Sequence, residues 1–198
     1  MTKSQRILKR VFDLIVAFIG LVFAFPFIFI GWIAAALSTR ANGFFIQKRV
    51  GMHGELFPVI KLRTMREVKG VSTTVTAKND VRITGVGSFL RTFKIDELPQ
   101  LFNVIAGHMS LVGPRPDVPG FADLLEGEDR IVLSVRPGIT GPATIAFRKE
   151  EQILAEVENP DEYNQNVIWP EKIRLNRDYI ENYSLSKDIV YLWQTVTG

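Results

Sequence analysis

The 198-residue chain is long enough for one domain with its own core and too short for two of ordinary size. It contains no cysteine, which excludes disulfides, thiolate metal sites and cysteine nucleophiles, and its two histidines exclude a histidine-rich metal centre. A bound metal would therefore need oxygen ligands. Residues 1–70 hold 11 Lys and Arg against 3 Asp and Glu, whereas residues 71–198 hold 13 against 18. Such a basic first third is typical of proteins that bind nucleic acid or an anionic lipid surface.

A charge-free run of 24 residues, from Leu14 to Leu37, lies inside that basic third. A hydrocarbon core about 30 Å thick needs roughly 20 helical residues, so the run is long enough to insert into a membrane. It exceeds the roughly 7–15 apolar residues of a signal-peptide core, and we expect it to be retained rather than cleaved. The aromatic residues of this region belong to the apolar run and not to a basic folded face. The sequence therefore favours anionic membrane lipids as a partner and excludes nucleic acid.

The two ends of the run are both basic, at residues 3–10 and 40–63, so the positive-inside tendency favours neither orientation. Pro26 lies in the middle of the run, where it lacks a backbone donor and clashes with the preceding turn, and it predicts a kink. A kinked helix with two cytoplasm-seeking ends can re-enter the face from which it came. A straight span that tolerates the proline is the alternative.

The segment that leads into the run is predicted to be helical. Thr2 and Gln5 have the spacing of a capping box at a helix start. Asp13 lies three residues beyond Arg10, and we expect the two to form a shallow ion pair at the membrane interface rather than a functional site.

The remaining sequence predicts an α+β fold that is mostly helical. Residues 44–65 alternate apolar and polar residues, which predicts a short β-hairpin or a pair of extended segments, and residues 67–83 are polar and predict a loop. Helices are predicted at 85–93, 98–105, 121–135 and from 150 onward, irregular chain at 107–120, and a turn at 136–141. We assign residues 1–40 to the basic leading helix with the membrane helix, and residues 41–198 to a second, small domain.

Two adjacent carboxylates, Asp96 and Glu97, stand at the predicted start of a helix. Such a pair often does no more than favour the helix dipole. Here, however, Gly113-Pro114-Arg115-Pro116 follows shortly after, and its prolines stiffen the backbone around one arginine. Carboxylates able to hold Mg²⁺ beside rigid arginines are the residue types that bind a diphosphate. Walker A and G-x-G-x-x-G patterns are absent, so a P-loop or Rossmann site is unsupported.

The chain resembles the bacterial sugar transferase family, the small monotopic polyprenol-phosphate phosphoglycosyl transferases. The resemblance extends from the basic leading helix to about residue 195. Four motifs carry it in the family's order and spacing: KLRTM at 61–65, DELPQL at 96–101, LVGPRP at 111–116 and RPGITG at 136–141.

This resemblance implies an initiating enzyme of glycoconjugate assembly on the cytoplasmic face of the bacterial inner membrane. The implied substrates are a UDP-sugar and a polyprenol phosphate, the cofactor is Mg²⁺, and downstream glycosyltransferases are candidate partners. Asp96 matches the family's nucleophile, which releases UMP and becomes a phosphosugar ester. Glu97 matches its partner carboxylate, and both acids are expected to hold Mg²⁺. The basic residues expected to steady phosphates are Lys61, Arg91, Arg115, Arg136 and Arg148. The resemblance also makes Pro26 the kink of a re-entrant helix, with amphipathic helices of the catalytic domain at the interface.

The chain departs from the family's usual pattern in four places. Phe25 replaces a Ser before the kink proline, and His108 replaces an Asp. Asn176 replaces an Asp, and residues 143–147 lack a polar Gln-x-Asn-Gly; these two differences bear on the identity of the sugar. The alternative function is a non-catalytic membrane scaffold for glycan assembly. That alternative predicts degraded carboxylates, whereas Asp96 and Glu97 are in place.

Overall fold

The chain begins with a 37-residue helix, α1 (Lys3–Thr39), in a computed structural model that describes residues 1–67 and 80–197. Short strands and helices follow: β1 (Phe44–Val50), β2 (Leu56–Leu62), α2 (Gly85–Thr92), α3 (Gln100–Ala106), β3 (Ser110–Val112), β4 (Gly138–Thr140), α4 (Pro142–Ala146), α5 (Glu150–Ala155), α6 (Pro160–Tyr163), α7 (Trp169–Glu181) and α8 (Leu185–Thr197). Turns of 3₁₀ helix lie at Met52–Gly54, Ile95–Glu97, Ala122–Leu124 and Gly127–Ser134, and a π-helical turn at Asn164–Ile168. The predicted α+β, mostly helical class is confirmed.

Both ends of α1 are capped. Thr2 N–H donates to Gln5 Oε1 (2.7 Å) and Gln5 N–H donates to Thr2 Oγ1 (3.2 Å), which confirms the predicted capping box. At the other end Arg40 takes a left-handed backbone conformation, and its N–H bonds to Ala36 O (2.9 Å). The helix runs from Lys3 to Thr39 with Pro26 inside it. The kink at Pro26 stays a prediction.

The surface of α1 is divided between a buried stripe and an exposed apolar face. The buried stripe runs along the helix and consists of Lys9, Asp13, Ala17, Ala24, Ile28, Gly31, Ala35 and Thr39. Large apolar side chains such as Phe18, Phe23 and Ile30 are exposed on the rest of the surface. Within residues 1–67 and 80–197, α1 is the one helix long and apolar enough to cross a membrane. Its length and its exposed face therefore fit lipid rather than water.

The predicted β-hairpin is confirmed. β1 and β2 pair antiparallel, with Phe44 opposite Leu62 and Val50 opposite Leu56. At the start of β2 the side chains alternate, with Phe57 and Val59 buried and Leu56 and Pro58 exposed, as the period of a half-buried strand requires. The main core then forms where the hairpin meets α1, α3, β3 and α7, and it contains Ala17, Phe57, Val59, Val104, Met109, Leu111, Val112, Tyr179, Ile180 and Tyr183.

Two short strands form where the sequence predicted irregular chain and a turn. Ser110–Val112 and Gly138–Thr140 pair in parallel, with Ser110 opposite Gly138. The ladder continues past the strands, because Gly113 N–H donates to Thr140 O (2.9 Å) and Gly138 N–H donates to Pro114 O (2.7 Å). The predictions for 107–120 and 136–141 were wrong here, since the strands stabilise each other across a long sequence separation that local patterns do not report.

The prediction of a helix over residues 121–135 is wrong as well. Two 3₁₀ segments, Ala122–Leu124 and Gly127–Ser134, occupy this region. Leu125 and Glu126 have extended backbone conformations and Gly127 has a left-handed one (φ 56°), so a continuous α-helix is interrupted here. Ala122, Leu125, Val132 and Leu133 are buried in a smaller core with Val50 and Ile173, whereas Phe121 and Leu124 are exposed. Of the predicted loop at 67–83, residues 68–79 lie outside the described residues, and Met65 and Ile83 form an isolated antiparallel bridge.

The predicted ion pair between Arg10 and Asp13 is also wrong. Asp13 is buried and pairs with Lys9, whose Nζ lies 3.5 Å from Asp13 Oδ1. Arg10 instead donates through Nη1 to Val104 O (2.8 Å) and through Nη2 to Ile105 O (3.2 Å). These carbonyls belong to the last turn of α3, where a cation is favourable to the helix dipole.

The close packing of α2 on the chain that follows β2 depends on Gly87. A Cβ at Gly87 would overlap the Thr64 carbonyl oxygen, whereas a Cβ at Gly85 would meet no atom within 4 Å. We expect Gly87→Ala to lower the free energy of unfolding by about 1–3 kcal/mol, because α2 must move. Gly85→Ala is the matched control, and it should leave the melting temperature unchanged or higher. Thermal unfolding of both variants in one detergent tests this expectation, and equal melting temperatures would contradict it.

Candidate active site

Asp96 and Glu97 lie on the single 3₁₀ turn, Ile95–Glu97, that joins α2 to α3. Lys94 turns the chain out of α2 with a left-handed backbone conformation (φ 56°). The first residue of the turn, Ile95, packs beside Gly31 of α1. The carboxylate pair is therefore held next to the helix that carries the exposed apolar face.

Glu97 accepts two charge-assisted hydrogen bonds through one oxygen. Lys61 Nζ lies 2.8 Å from Glu97 Oε1, and Arg115 Nη2 lies 2.7 Å from the same atom. Lys61 belongs to β2 and Arg115 to the loop after β3, so these bonds join three separate parts of the chain. The Glu97 side chain is only 14% exposed, which makes both bonds stronger than they would be in open water.

Close backbone contacts hold the loop that carries Arg115. A Cβ at Gly138 or at Gly141 would overlap the backbone of Gly113. The loop after β3 and the loop around β4 therefore touch through their main chains, which glycine alone permits at these positions. Pro114 and Pro116 on either side of Arg115 limit the remaining backbone freedom. The Arg115 guanidinium is thus directed towards Glu97 by a rigid frame.

Burial and neighbouring charges move the two carboxylates in opposite directions. Burial, and then the charge of Glu97, raises the pKa of Asp96 to about 6. Burial opposes the ionisation of Glu97 too, but the charges of Arg115 and Lys61 outweigh it and hold the pKa of Glu97 well below its usual range. Glu97 is therefore a fixed anion paired with two cations. Asp96 is the more basic carboxylate and so the better nucleophile or base.

Asp96 presents an oxygen for which the described residues offer no partner. Asp96 is 9% exposed, and its Oδ1 is buried and accepts no hydrogen bond from residues 1–67 or 80–197. A buried polar atom of this kind costs free energy unless a ligand binds it. In the described part of the chain no cluster of three or more His, Asp or Glu side chains could hold a metal. A pair of carboxylates nevertheless suits Mg²⁺, which takes its other ligands from water and substrate phosphates. Asp96 and Glu97 therefore fit this ion.

The other arginines predicted from the sequence fall into two groups. Arg91, at the end of α2, lies close enough for its charge to favour the ionised form of Asp96. Arg136 Nε donates to Gly107 O (2.7 Å), at the end of α3 farther from the carboxylates. Arg148 Nη2 donates to Gln194 O (2.7 Å) on α8. The fold therefore gathers Lys61, Arg91 and Arg115 around the carboxylates and places Arg136 and Arg148 elsewhere.

Three polar residues of this region were missed by the sequence reasoning. Arg49 Nη1 donates to Pro116 O (3.4 Å), and burial raises the pKa of Asp117 to about 6. Gln100 is buried on the first turn of α3, and its Nε2 has no partner. The sequence did hold signals for Asp117 and Gln100, since Asp117 directly follows a rigid proline and Gln100 lies one turn beyond Asp96. Nothing in the local sequence indicated Arg49, because its position follows from the register of the hairpin.

Residues 4–198 match the sequence model described as bacterial sugar transferase. The chain belongs to this family. It is 33% identical over 211 residues to "Undecaprenyl-phosphate galactose phosphotransferase" of Salmonella typhimurium, covering 98% of this chain and 40% of that protein. It is 31% identical over 204 residues to "Exopolysaccharide production protein ExoY" of Sinorhizobium fredii, covering 95% of this chain and 83% of that protein.

A third member of the family, "UDP-glucose:undecaprenyl-phosphate glucose-1-phosphate transferase" of Klebsiella pneumoniae, is 36% identical over 198 residues. The alignment covers 96% of this chain and 39% of that protein. The chain thus spans about two fifths of the Salmonella and Klebsiella relatives. The family resemblance predicted from the four motifs is confirmed.

The raised pKa of Asp96 makes a prediction about stability. Its pKa of about 6 in the folded chain exceeds the ordinary pKa of 3.8, so ionisation of Asp96 destabilises the fold. This loss of folding stability is absent at pH values below 3.8 and complete above about pH 6, where it amounts to about 3 kcal/mol. We expect Asp96→Asn to raise the melting temperature at pH 8 and not at pH 4, measured in detergent without divalent metal. Asp161→Asn, at the exposed start of α6, is the control and should give no pH-dependent gain. A gain for Asp96→Asn that is independent of pH would contradict the buried-carboxylate account.

Proposed function

We propose that this chain transfers a sugar-1-phosphate from a UDP-sugar to a polyprenol phosphate, giving a polyprenyl-diphospho-sugar and UMP. The observation that carries the proposal is the unequal pair of carboxylates beside α1. Glu97 is held by Lys61 and Arg115, whereas Asp96 keeps a buried oxygen without a partner. Glu97 is thus placed to hold two cations at the site, and Asp96 is placed to react.

In the first step an oxygen of Asp96 attacks the sugar-bearing phosphorus of the UDP-sugar. The bond between this phosphorus and the bridging oxygen breaks, UMP leaves with the bridging oxygen, and a phosphosugar ester forms on Asp96. Burial supports this role, because a poorly solvated carboxylate loses less hydration when it attacks. The raised pKa of Asp96 adds basicity, and therefore nucleophilicity, without preventing ionisation at pH 7.

In the second step an oxygen of the polyprenol phosphate attacks the same phosphorus. The bond from phosphorus to Asp96 breaks, which restores the carboxylate and releases the lipid-linked diphosphosugar. A covalent intermediate lets a water-soluble donor and a lipid acceptor use one site in turn. The packing of Ile95 on α1 supports this arrangement, since it keeps Asp96 close to the lipid-facing helix.

Positive charge around the carboxylates would bind the donor's phosphates. Arg115 presents a planar guanidinium suited to two phosphate oxygens, and Arg91 and Arg49 bring further charge to the same region. Asp96 and Glu97 would hold Mg²⁺, which neutralises phosphate charge as the leaving group departs. The relatives' names support the substrate classes, because they specify undecaprenyl phosphate as acceptor and, in the Klebsiella protein, UDP-glucose as donor.

We further propose that both ends of α1 face the cytoplasm of a bacterial inner membrane. Ala17 packs in the main core, and Ala35 packs with Leu62 and Leu90. A helix that crosses about 30 Å of hydrocarbon separates its ends by that thickness, so both ends could not pack on one cytosolic domain. The buried stripe along α1 therefore supports re-entry or shallow insertion over a straight span. Pro26 supplies the bend that re-entry needs.

The reaction is tested by transfer of radiolabel from a panel of UDP-sugars into a lipid-soluble product, with undecaprenyl phosphate as acceptor. Asp96→Asn keeps the shape of the side chain but removes the nucleophile, so transfer should fall at least about a thousandfold, a barrier change of about 4 kcal/mol. Asp161→Asn, on an exposed turn, is the matched control and should stay close to wild type. Turnover of Asp96→Asn within tenfold of wild type would exclude Asp96 as nucleophile. A wild-type chain inactive with every donor would favour the membrane scaffold.

Removal of divalent metal should stop transfer in the same assay. Two donor phosphates that face a carboxylate pair need more positive charge than Lys61 and Arg115 supply, because Glu97 already offsets part of the charge of these two cations. Excess EDTA should therefore abolish activity, and added Mg²⁺ should restore it. Full activity in EDTA would exclude the metal.

Single cysteines test the topology, because the chain has no cysteine of its own. Lys3→Cys and Glu158→Cys place exposed thiols before α1 and in the catalytic domain. An impermeant thiol reagent should label neither position in intact spheroplasts and both positions after lysis. Labelling of position 3 before lysis would establish a transmembrane span. Pro26→Leu should shift the helix towards that span, since the unkinked apolar run is long enough to cross.

A further inference from the structure

A buried charged cluster on the first turns of α1 has no part in the reaction proposed above. Lys9, Asp13 and Asp188 are 7%, 2% and 0% exposed, respectively. Lys9 Nζ lies 2.7 Å from Asp188 Oδ2 and 3.5 Å from Asp13 Oδ1. Burial of such groups costs several kcal/mol per ion, and apolar side chains of similar size often stabilise a core as well or better. Fold stability therefore gives a weak account of this cluster.

Asp13 uses both carboxylate oxygens to hold β3. Ser110 Oγ donates to Asp13 Oδ2 (2.7 Å), and Leu111 N–H points to Asp13 Oδ1 (3.4 Å). The far side of the same strand meets α7, where Tyr179 OH lies 3.2 Å from Val112 O and 2.7 Å from Asp188 Oδ1. β3 is therefore fixed from two directions by one connected set of polar side chains.

The same turn of α1 also holds α3. Arg10, next to Lys9 in the sequence, bonds the carbonyls of Val104 and Ile105 at the end of α3. α3 begins three residues after Glu97, and β3 ends three residues before Arg115. Two of the elements that α1 holds by polar bonds, α3 and β3, are therefore the elements next to Glu97 and Arg115 in the chain.

We propose that Asp13 is a positioning residue that acts through β3 to place Arg115 against Glu97. The cluster of Lys9, Asp13 and Asp188 would thus fix the distance between Arg115 and Glu97 from the first turns of α1. This inference rests on the proposed function, since Arg115 is taken to bind the donor's phosphates. It assigns the leading turns of α1 a part in the geometry of the site in addition to membrane attachment.

A double-mutant cycle separates positioning from general stabilisation. Asp13→Leu removes both acceptors, and we expect kcat/KM for the UDP-sugar to fall about thirtyfold. In an Arg115→Ala background the same change should cost less than about threefold, because the residue through which Asp13 acts is already absent. The tenfold difference corresponds to a coupling energy of about 1.4 kcal/mol. Equal losses in both backgrounds would overturn the proposal and leave the cluster a structural role.

Two conservative variants keep the test independent of misfolding. Asp13→Asn retains an acceptor for the Ser110 hydroxyl or the Leu111 N–H, and it should recover at least half of the lost activity on a logarithmic scale. Ser110→Ala removes one hydrogen bond, and its cost of about fivefold should also vanish in the Arg115→Ala background. Thr39→Val is the matched control, because Thr39 is buried on α1 but bonds only within its own helix, to Ala35 O (2.7 Å). It should stay within about twofold of wild type in both backgrounds.

Amide hydrogen exchange gives a readout that does not depend on activity. In Asp13→Leu the amides of residues 110–113, which pair with β4 or point to Asp13, should exchange faster, whereas the non-proline amides of β2, residues 56–62, should keep their protection. Uniform acceleration, or no acceleration at 110–113, would overturn the proposal. If wild type transfers no sugar, the proposed function fails, and local exchange at 110–113 still decides whether Asp13 holds β3.

Discussion

Glu97 lies where three parts of the chain that are distant in sequence meet. Its ion pairs with Lys61 and Arg115 hold those parts together. An exposed pair of this kind would contribute about 1 kcal/mol or less. Here the carboxylate is mostly buried, so the loss of either cation leaves a poorly compensated charge. The register of the hairpin places Lys61, and the β3–β4 pairing with its glycine contacts places Arg115. Much of the chain after α1 thus serves to bring two cations to one oxygen.

The state of Asp96 follows from that arrangement. Because the two cations bond to Glu97, Asp96 receives their charge only at a distance, and burial raises its pKa. Two adjacent carboxylic acids therefore differ through their surroundings. Glu97 is a permanent anion, and Asp96 is a more basic carboxylate with an unsatisfied oxygen. Such a separation is the usual physical basis for assigning different roles to paired carboxylates.

The helix α1 has two kinds of contact along its whole length. Its exposed face is apolar and suits lipid, whereas its buried stripe packs on the rest of the chain near both ends. Polar residues in its first turns reach α3, β3 and α8, and Gly31 near its other end accommodates Ile95 beside the carboxylates. A site built against such a helix is held at a fixed distance from the helix's apolar face. The function proposed above needs this, because a lipid phosphate and a soluble nucleotide-sugar would have to reach one site.

The sequence by itself determined the apolar helix with its capping box, the hairpin, the helix after Pro99 and the carboxylate pair. These features depend on run length, local periodicity and residue type, which a sequence displays directly. The sequence reasoning also indicated five basic residues, but only the tertiary structure decided that Lys61, Arg91 and Arg115 gather at the carboxylates. Arg136 and Arg148 bond carbonyls elsewhere, and Asp13 proved to be buried with Lys9 rather than paired with Arg10 at the surface. These partners depend on the parallel pairing of β3 with β4 and on the packing of α1, α3 and α8. Contacts between residues far apart in the chain leave no local pattern, because each residue type is compatible with several partners until the fold brings one of them near.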